Sequence, residues 1–247
     1  MDEMDSALAR RLADAAGTVL LELRRTVRDR DALRAAGDRR AQEVLDRELR
    51  AHRPADAVLS EEAPDDPARL SAERVWIVDP LDGTREFGEP DRTDWAVHVA
   101  LWRAGKLIAG AVALPALGHT YATDGPVPPP PARTGRVRIA VSRTRPPEAA
   151  SHLASTMDAE LVPMGSAGAK TMAVVRGEAD LYLHSGGQYE WDSAAPVAVA
   201  MAAGLHASRL DGGALAYNSP DPYLPDLLVC RPELADTVLG HLNGRAA

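Results

Sequence analysis

The stretch Val75-Trp76-Ile77-Val78-Asp79-Pro80-Leu81-Asp82-Gly83-Thr84 decides how this chain is read. Its first four residues are apolar and read as a strand. Pro80 then forbids helix and Gly83 permits a tight turn, so Asp79 and Asp82 are predicted to converge at the strand's end. An ordinary Asx turn needs one such acid. Two carboxylates flanking a rigid Pro-Leu step, followed by Gly-Thr, concentrate more acid than a turn requires. Carboxylates this close repel one another unless a cation lies between them.

Outward from this turn, acid recurs in two places. Ser60-Glu61-Glu62 follows the strand-like Ala57-Val58-Leu59, and Trp191-Asp192 opens an Ala-rich helix over residues 193–203. Taken singly, the first reads as a solvated pair and the second as a helix N-cap. Taken with Asp79 and Asp82, Glu61 and Asp192 complete a set of hard oxygen ligands with no Cys or His partner at metal spacing. Such a set suits Mg²⁺, with Mn²⁺ as a substitute, better than Zn²⁺.

The rest of the chain is that of an ordinary globular protein. Its 247 residues are 45% hydrophobic and 26% charged, which excludes a disordered or collagen-like chain and allows one large domain or two modest ones. A net charge of −8 opposes binding to polymeric nucleic acid, but small phosphates can still bind through cations held by carboxylates. No apolar run approaches the ~20 residues that cross a bilayer, and the N-terminus lacks the charged and apolar regions of a signal peptide. The expectation is a cytoplasmic protein without a membrane partner. Cys230, the one cysteine, ends the apolar run Leu227-Leu228-Val229-Cys230 and reads as a buried structural thiol.

Periodicity predicts a helix over residues 4–27, then a second helix beginning after Gly37 with Asp38 as its N-cap and ending before Pro54. Strands are predicted over 75–78, 95–102 and 106–114, the last two joined through Arg103-Ala104-Gly105, which suggests an antiparallel sheet. The run Gly125-Pro126-Val127-Pro128-Pro129-Pro130-Pro131 can form neither helix nor ladder and reads as a surface loop at a boundary. Beyond it, strands near 137–141, 181–183, 205–208 and 227–230 alternate with helices after Pro146-Pro147, over 167–175, over 193–203 and after Pro232, an α/β arrangement. The predicted organisation is an N-terminal α+β domain over 1–124, the Pro-rich loop over 125–136, and a C-terminal α/β domain over 137–247.

Several of these segments, in this order, resemble the inositol monophosphatase superfamily of magnesium-dependent, lithium-sensitive phosphatases. They are the long first helix, Gly37-Asp38, Ser60-Glu61-Glu62, the strand-turn from Trp76 to Thr84, Gly165-Ser166-Ala167-Gly168-Ala169-Lys170, and Trp191-Asp192-Ser193-Ala194-Ala195. Arg85-Glu86-Phe87 is similar to the basic-Glu-Phe triplet of the CysQ-type 3′(2′),5′-bisphosphate nucleotidases, as are Val141-Ser142-Arg143 and the segment ending at Lys170. The actinobacterial type is the nearest in pattern. The resemblance implies a layered αβαβα sandwich with an antiparallel N-terminal sheet and a smaller C-terminal α/β sheet.

It also implies roles. Two or three Mg²⁺ ions would be held by Glu61, Asp79, the carbonyl of Leu81, Asp82 and Asp192. Thr84, paired with Asp38, would orient and deprotonate a water that Glu61 helps to place. Asp82, Gly83, Thr84, Arg85, Arg143, Ser166, Lys170 and Asp192 would surround the substrate, with Arg143 and Lys170 on its 5′-phosphate. Tyr182 and His184 would either line the pocket or pack beneath it. The substrate implied is 3′-phosphoadenosine 5′-phosphate or its sulfated precursor, and the protein would act as a monomer or homodimer. An inositol monophosphatase, a fructose-1,6-bisphosphatase and a non-catalytic phosphometabolite-binding module are the alternatives.

Overall fold

A computed structural model describes residues 3–244; residues 1–2 and 245–247 of the two predicted domains lie outside the described residues. The chain opens with α1 (Glu3–Thr26) and α2 (Arg30–His52), which pack on each other. The start of α2 corrects the expected one. Asp29, not Asp38, is the N-cap, its Oδ1 accepting the Ala32 N–H at 2.8 Å. Gly37 and Asp38 therefore lie inside the helix. Gly37 is there for packing, not to break a helix: a Cβ on it would stand 2.6 Å from Phe87 Cε1 and 2.8 Å from Leu81 Cδ2. Absence of that atom lets α2 approach the acidic turn and brings Asp38 beside it.

Five strands follow in the order of the chain: β1 (Ala57–Ser60), β2 (Arg74–Asp82), β3 (Ala96–Arg103), β4 (Lys106–Leu114) and β5 (His119–Ala122). The β3–β4 hairpin turns through Ala104 and Gly105 with φ of 46° and 85°, the two left-handed positions of a type I′ turn. The expected antiparallel sheet needs one correction. β1 runs parallel to β2, pairing Ala57 with Val75 and Ser60 with Val78, because residues 61–73 cross over through a 3₁₀ turn at Pro67–Ser71. This register delivers Glu61 next to Asp79.

The second sheet is mixed, with strand order β7-β6-β8-β10-β9, built from β6 (Arg138–Ser142), β7 (Glu160–Met164), β8 (Leu181–Tyr189), β9 (His206–Ser208) and β10 (Tyr223–Cys230). β5 and β7, which are short, escape the periodicity reading. Two helices, α5 (Ala167–Val175) and α6 (Glu190–Ala202), fill the space between the sheets, and every residue of α5 is buried. Their core joins Ile77 and Val112 of one sheet to Tyr182 and Leu227 of the other. On the outer face of the first sheet lie α1 and α2; on that of the second lie α4 (Glu148–Thr156) and α7 (Ala235–Leu242). The layers are thus α-β-α-β-α.

Residues 123–137 carry the chain between sheets. The Pro-rich segment is tied down: Arg231 donates to the Pro131 carbonyl at 2.7 Å, and Val127 packs on the central core. Cys230 is fully buried, and burial pushes its thiol up to about 12, so it is an inert part of the core.

Two buried acids fasten the layers. Asp5 receives Arg53 at 2.8 Å and Arg74 at 2.9 Å, and Asp180 receives Arg231 at 2.9 Å. Burial opposes the ionisation of both, yet the arginines outweigh it and hold each carboxyl below its ordinary value of 3.8. Both therefore stabilise the fold above pH ~4, and that contribution is lost as pH falls through their lowered folded values. Asp180→Asn is expected to lose on the order of 3 kcal/mol in a urea titration at pH 7 by depriving buried Arg231, and Arg138 beside it, of the carboxylate they share, and to show a shallower loss of stability between pH 5 and pH 3. Gly37→Ala is expected to lower the unfolding free energy from the same titration by about 1–3 kcal/mol through overpacking against Phe87 and Leu81.

Candidate active site

The acidic turn forms where β2 runs out. Asp79 Oδ1 accepts the Leu81 N–H at 3.0 Å, and Gly83 turns the chain at a φ of 89° into the short α3 (Thr84–Phe87). Asp192 joins from α6. It is not the N-cap expected; its carboxylate reaches back to the Tyr189 N–H at 2.7 Å from the third helical position. One carboxylate oxygen each from Asp79, Asp82 and Asp192 fall within 4.8 Å of one another.

Glu61, exposed as a residue, sits on the rim after β1, where its charge is felt by Asp79. Asp82 is braced from the C-terminal half, accepting the Ser166 hydroxyl and, at 2.7 Å, the Gly168 N–H.

Residues far from this turn in sequence complete its support. His98 is fully buried; its Nε2 stands 3.1 Å from Asp82 Oδ2, an ion-pair distance outside hydrogen-bond alignment, and its Nδ1 lies 3.0 Å from the Trp191 carbonyl. Sequence reasoning passed over His98, although one polar residue inside Ala96-Val97-His98-Val99-Ala100 was a signal, and the β2–β3 register places it opposite Asp79. It also explains a glycine of the 165–170 segment: a Cβ on Gly168 would stand 2.1 Å from His98 Nε2.

A second unforeseen group is fully buried Arg69, which donates to Asn218 Oδ1 at 2.7 Å and the Ser219 carbonyl at 2.9 Å. Glu190 in turn accepts the Asn218 and Ser219 N–H groups at 2.6 and 2.8 Å. This chain of bonds ties the crossover after Glu61 to the first turn of α6, which carries Asp192.

The electrostatics of the cluster ask for a cation. Burial first, then Glu61 and Asp82, push Asp79 well above the carboxylate range; burial and Asp82 lift Asp192 to about 6; burial and Asp192 lift Glu61 to about 7. Asp82 is the exception. Burial opposes its charge, but His98, Lys170 and Ser166 hold it ionised. His98 is correspondingly raised, Asp82 and the Trp191 carbonyl overcoming its burial. A divalent ion with hard-oxygen preference fits these donors, since it would supply the positive charge that three of the four carboxylates lack.

The other expected residues divide. Thr84 Oγ1 lies 3.1 Å from both Asp38 Oδ1 and the Leu81 carbonyl, so the Asp38–Thr84 pair is assembled. Burial lifts Asp38 to about 6 against the Thr84 hydrogen bond. Asp82, Gly83, Arg85, Ser166, Lys170 and Asp192 line one cavity beside the cluster. Lys170 is buried there, its Nζ donating to the carbonyls of Gly165 and Ser166 and sitting 5.1 Å above the Tyr182 ring. Arg143 requires correction. It is paired with Glu86 at 2.7 Å and Glu89 at 3.0 Å and does not line the cavity, whereas exposed Arg145 does.

Comparison with known proteins agrees with this geometry. Residues 1–243 match the inositol monophosphatase family. The chain is 55% identical over 235 residues to the 3′-phosphoadenosine 5′-phosphate phosphatase of Mycobacterium tuberculosis, covering 91% of this chain and 88% of that protein. It is 34% identical over 202 residues to the 3′(2′),5′-bisphosphate nucleotidase CysQ of Escherichia coli, covering 76% and 81%. The crystal structure of CysQ from Bacteroides thetaiotaomicron superposes with a TM-score of 0.79 at 26% identity over 93% of this chain and 97% of that one. In fold alone, inositol monophosphatase II of Staphylococcus aureus is similar at a TM-score of 0.82 and 21% identity, covering 100% and 98%. The chain belongs to the inositol monophosphatase family, a metal-dependent family, and within it resembles the CysQ-type nucleotidases.

Neutralising one member of a repelling cluster relieves it. Asp79→Asn is expected to raise the melting temperature of the metal-free protein and to abolish the stabilisation by Mg²⁺ expected of the unsubstituted protein, about 2.7 kcal/mol at a hundredfold excess of Mg²⁺ over Kd. Differential scanning calorimetry with and without Mg²⁺ checks both arms.

Proposed function

We propose that this chain is a Mg²⁺-dependent phosphomonoesterase of the cytoplasm, removing the 3′-phosphate of 3′-phosphoadenosine 5′-phosphate or of its sulfated precursor. The observation that carries the reading is the hydrogen-bonded Asp38–Thr84 pair standing directly beside the Asp79–Asp82–Asp192 cluster, at the edge of a cavity that contains Lys170 and Arg145. The names of the similar nucleotidases support the choice of substrate.

Glu61, Asp79, the Leu81 carbonyl, Asp82 and Asp192 are the ligands this reading assigns to two or three Mg²⁺ ions, which when bound neutralise phosphate charge and acidify water. The remaining work falls to the chain's own groups. Thr84 donates its hydroxyl hydrogen to Asp38, which leaves the Oγ1 lone pairs to accept a hydrogen bond from the attacking water and aim it at phosphorus. As water attacks, its proton passes to Thr84 Oγ1 while the Thr84 proton moves to Asp38. Asp38, lifted to about 6, is matched to this exchange near neutral pH.

The N–H groups of Gly83 and Thr84 at the start of α3 are the donors for the phosphate oxygens. The bond to the ribose 3′ oxygen then breaks, and that oxygen takes a proton from solvent. No covalent intermediate with the protein is needed. On this reading the two halves divide the work: residues 1–124 supply all but one metal ligand and the water-orienting pair, and residues 137–247 supply Asp192 and the contacts to the rest of the nucleotide.

A substrate panel in Mg²⁺ tests the assignment. The highest kcat/KM is expected for 3′-phosphoadenosine 5′-phosphate, with inositol monophosphate and fructose-1,6-bisphosphate well below it and Li⁺ inhibitory. Preference for inositol monophosphate, or Mg²⁺-dependent binding without phosphate release, would overturn it. Thr84→Ala and Asp38→Asn are each expected to lower kcat by about 10²–10⁴, and the double variant by scarcely more than either single one, because the two act as a unit.

A further inference from the structure

Thr84 sits at the first position of α3, a helix of only four residues, with Gly83 just before it. A single turn does not hold itself in place, because its last carbonyls find no partner within the helix. Residues 88–95, which follow, form neither helix nor strand, so no ladder fixes them. They nonetheless bound the site: a Cβ on Gly83 would stand 3.3 Å from the Asp94 carbonyl oxygen and 3.3 Å from Trp95 Cα. Whatever fixes this segment also fixes the placement of Thr84.

Arg24, in the last turn of α1, is placed to do so. Its Nη1 donates to the Arg92 carbonyl at 2.9 Å, and its Nη2 donates to the carbonyls of Glu89 and Pro90 at 2.5 and 2.6 Å. The guanidinium also lies 5.9 Å from the centre of the Phe87 ring and 5.5 Å from that of Trp95, two fully buried rings packed edge to face at 5.1 Å. The Arg92 carbonyl that it holds accepts the Trp95 indole N–H as well, at 3.3 Å. One side chain thus joins the last residue of α3 to the residue that enters β3. From α2 come two longer bonds, Arg30 to the Gly88 carbonyl at 3.2 Å and Arg34 to that of Arg85 at 3.4 Å.

A basic residue in the last turn of a helix ordinarily serves the carbonyl end of its own helix. Among the described residues, Arg24 instead makes all three of its hydrogen bonds outside α1, to the segment after α3. A planar guanidinium suits the task, since it donates to several carbonyls while lying against aromatic rings. Because α1 is packed along β3, β4 and α2, Arg24 refers the position of α3 to a rigid part of the fold.

We infer that Arg24 is a positioning residue, holding α3 so that the Thr84 hydroxyl, bonded to Asp38 and near the Leu81 carbonyl, is aimed at the attacking water. The inference rests on the nucleotidase reading above and extends it to a side chain that does not line the cavity. Misplacing an orienting group by about 1 Å costs on the order of 10² in rate, so loss of this clamp is read in kcat and not in KM.

The test is a double-substitution cycle on the full-length protein in Mg²⁺, with 3′-phosphoadenosine 5′-phosphate as substrate. Arg24→Met keeps an unbranched stem against Phe87 and Trp95 and removes the donors. It is expected to lower kcat by about 10–10², with KM within about threefold of the unsubstituted value. In the Thr84→Ala background the same substitution is expected to lower kcat by less than about threefold, because the group it positions is already gone. A purely structural role would lower kcat by the same factor with or without the Thr84 hydroxyl. Equal factors in the two backgrounds, a change in KM alone, or no loss of kcat would each overturn the inference. Arg24→Lys, which keeps the charge and a donating head, serves the same cycle if Arg24→Met does not fold. Phosphate release from inositol monophosphate and none from the nucleotide would instead overturn the reading on which the inference rests, and the cycle is then run on inositol monophosphate.

Discussion

Repulsion among Asp79, Asp82, Asp192 and Glu61 is the constraint around which this molecule is arranged. These four acids reach their positions from three separate elements: the end of β2, the rim after β1 and the first turn of α6. Holding them together without a cation costs free energy, as the raised values of Asp79, Asp192 and Glu61 express. The fold therefore surrounds the cluster with rigid support. The Gly168 N–H and the Ser166 hydroxyl grip Asp82, His98 sits behind it, and the Arg69–Asn218–Ser219–Glu190 network ties the loop that carries Glu61 to the helix that carries Asp192. A site of this kind is poised for a cation because the protein has already met the cost of gathering its ligands.

The five layers serve the same end. The two inner helices α5 and α6 begin at the site and run away from it through the central core, so their first turns face the end of β2 while their apolar bodies bind the sheets together. The cavity is built from both halves of the sandwich. Asp79, Asp82, Glu61 and the Asp38–Thr84 pair lie on the side of the first sheet, and Lys170, Arg145, His184 and Gln188 lie toward the second.

Much of this was legible in the sequence, and the failures have physical causes. The turn at residues 79–84 and the acids at 61 and 192 announced themselves because hard carboxylates were crowded where folding had no use for them. The start of α2 was misread because Gly37 suggests a break when only its side chain is considered; its role appears once Phe87 and Leu81 are known to press against it. The parallel edge strand β1 could not be foreseen, since the sense of pairing is set by the crossover at Pro67–Ser71 rather than by the strand's own residues. His98, Arg69 and Glu190 act through partners dozens of residues away, and Arg143 looked available only while Glu86 and Glu89 were not known to hold it.

The most direct test of the account is proton release on Mg²⁺ binding, measured by calorimetry in buffers of differing ionisation enthalpy. Asp79, held well above the carboxylate range, and Glu61 and Asp192, lifted to about 7 and about 6 in the metal-free protein, must give up their protons to become ligands. Binding at pH 6 should therefore release about two protons, release should be smaller at pH 8, and affinity should strengthen as pH rises between them. Magnesium binding that releases no protons and has the same affinity at pH 6 and pH 8 would contradict the claim that this carboxylate cluster is the metal site.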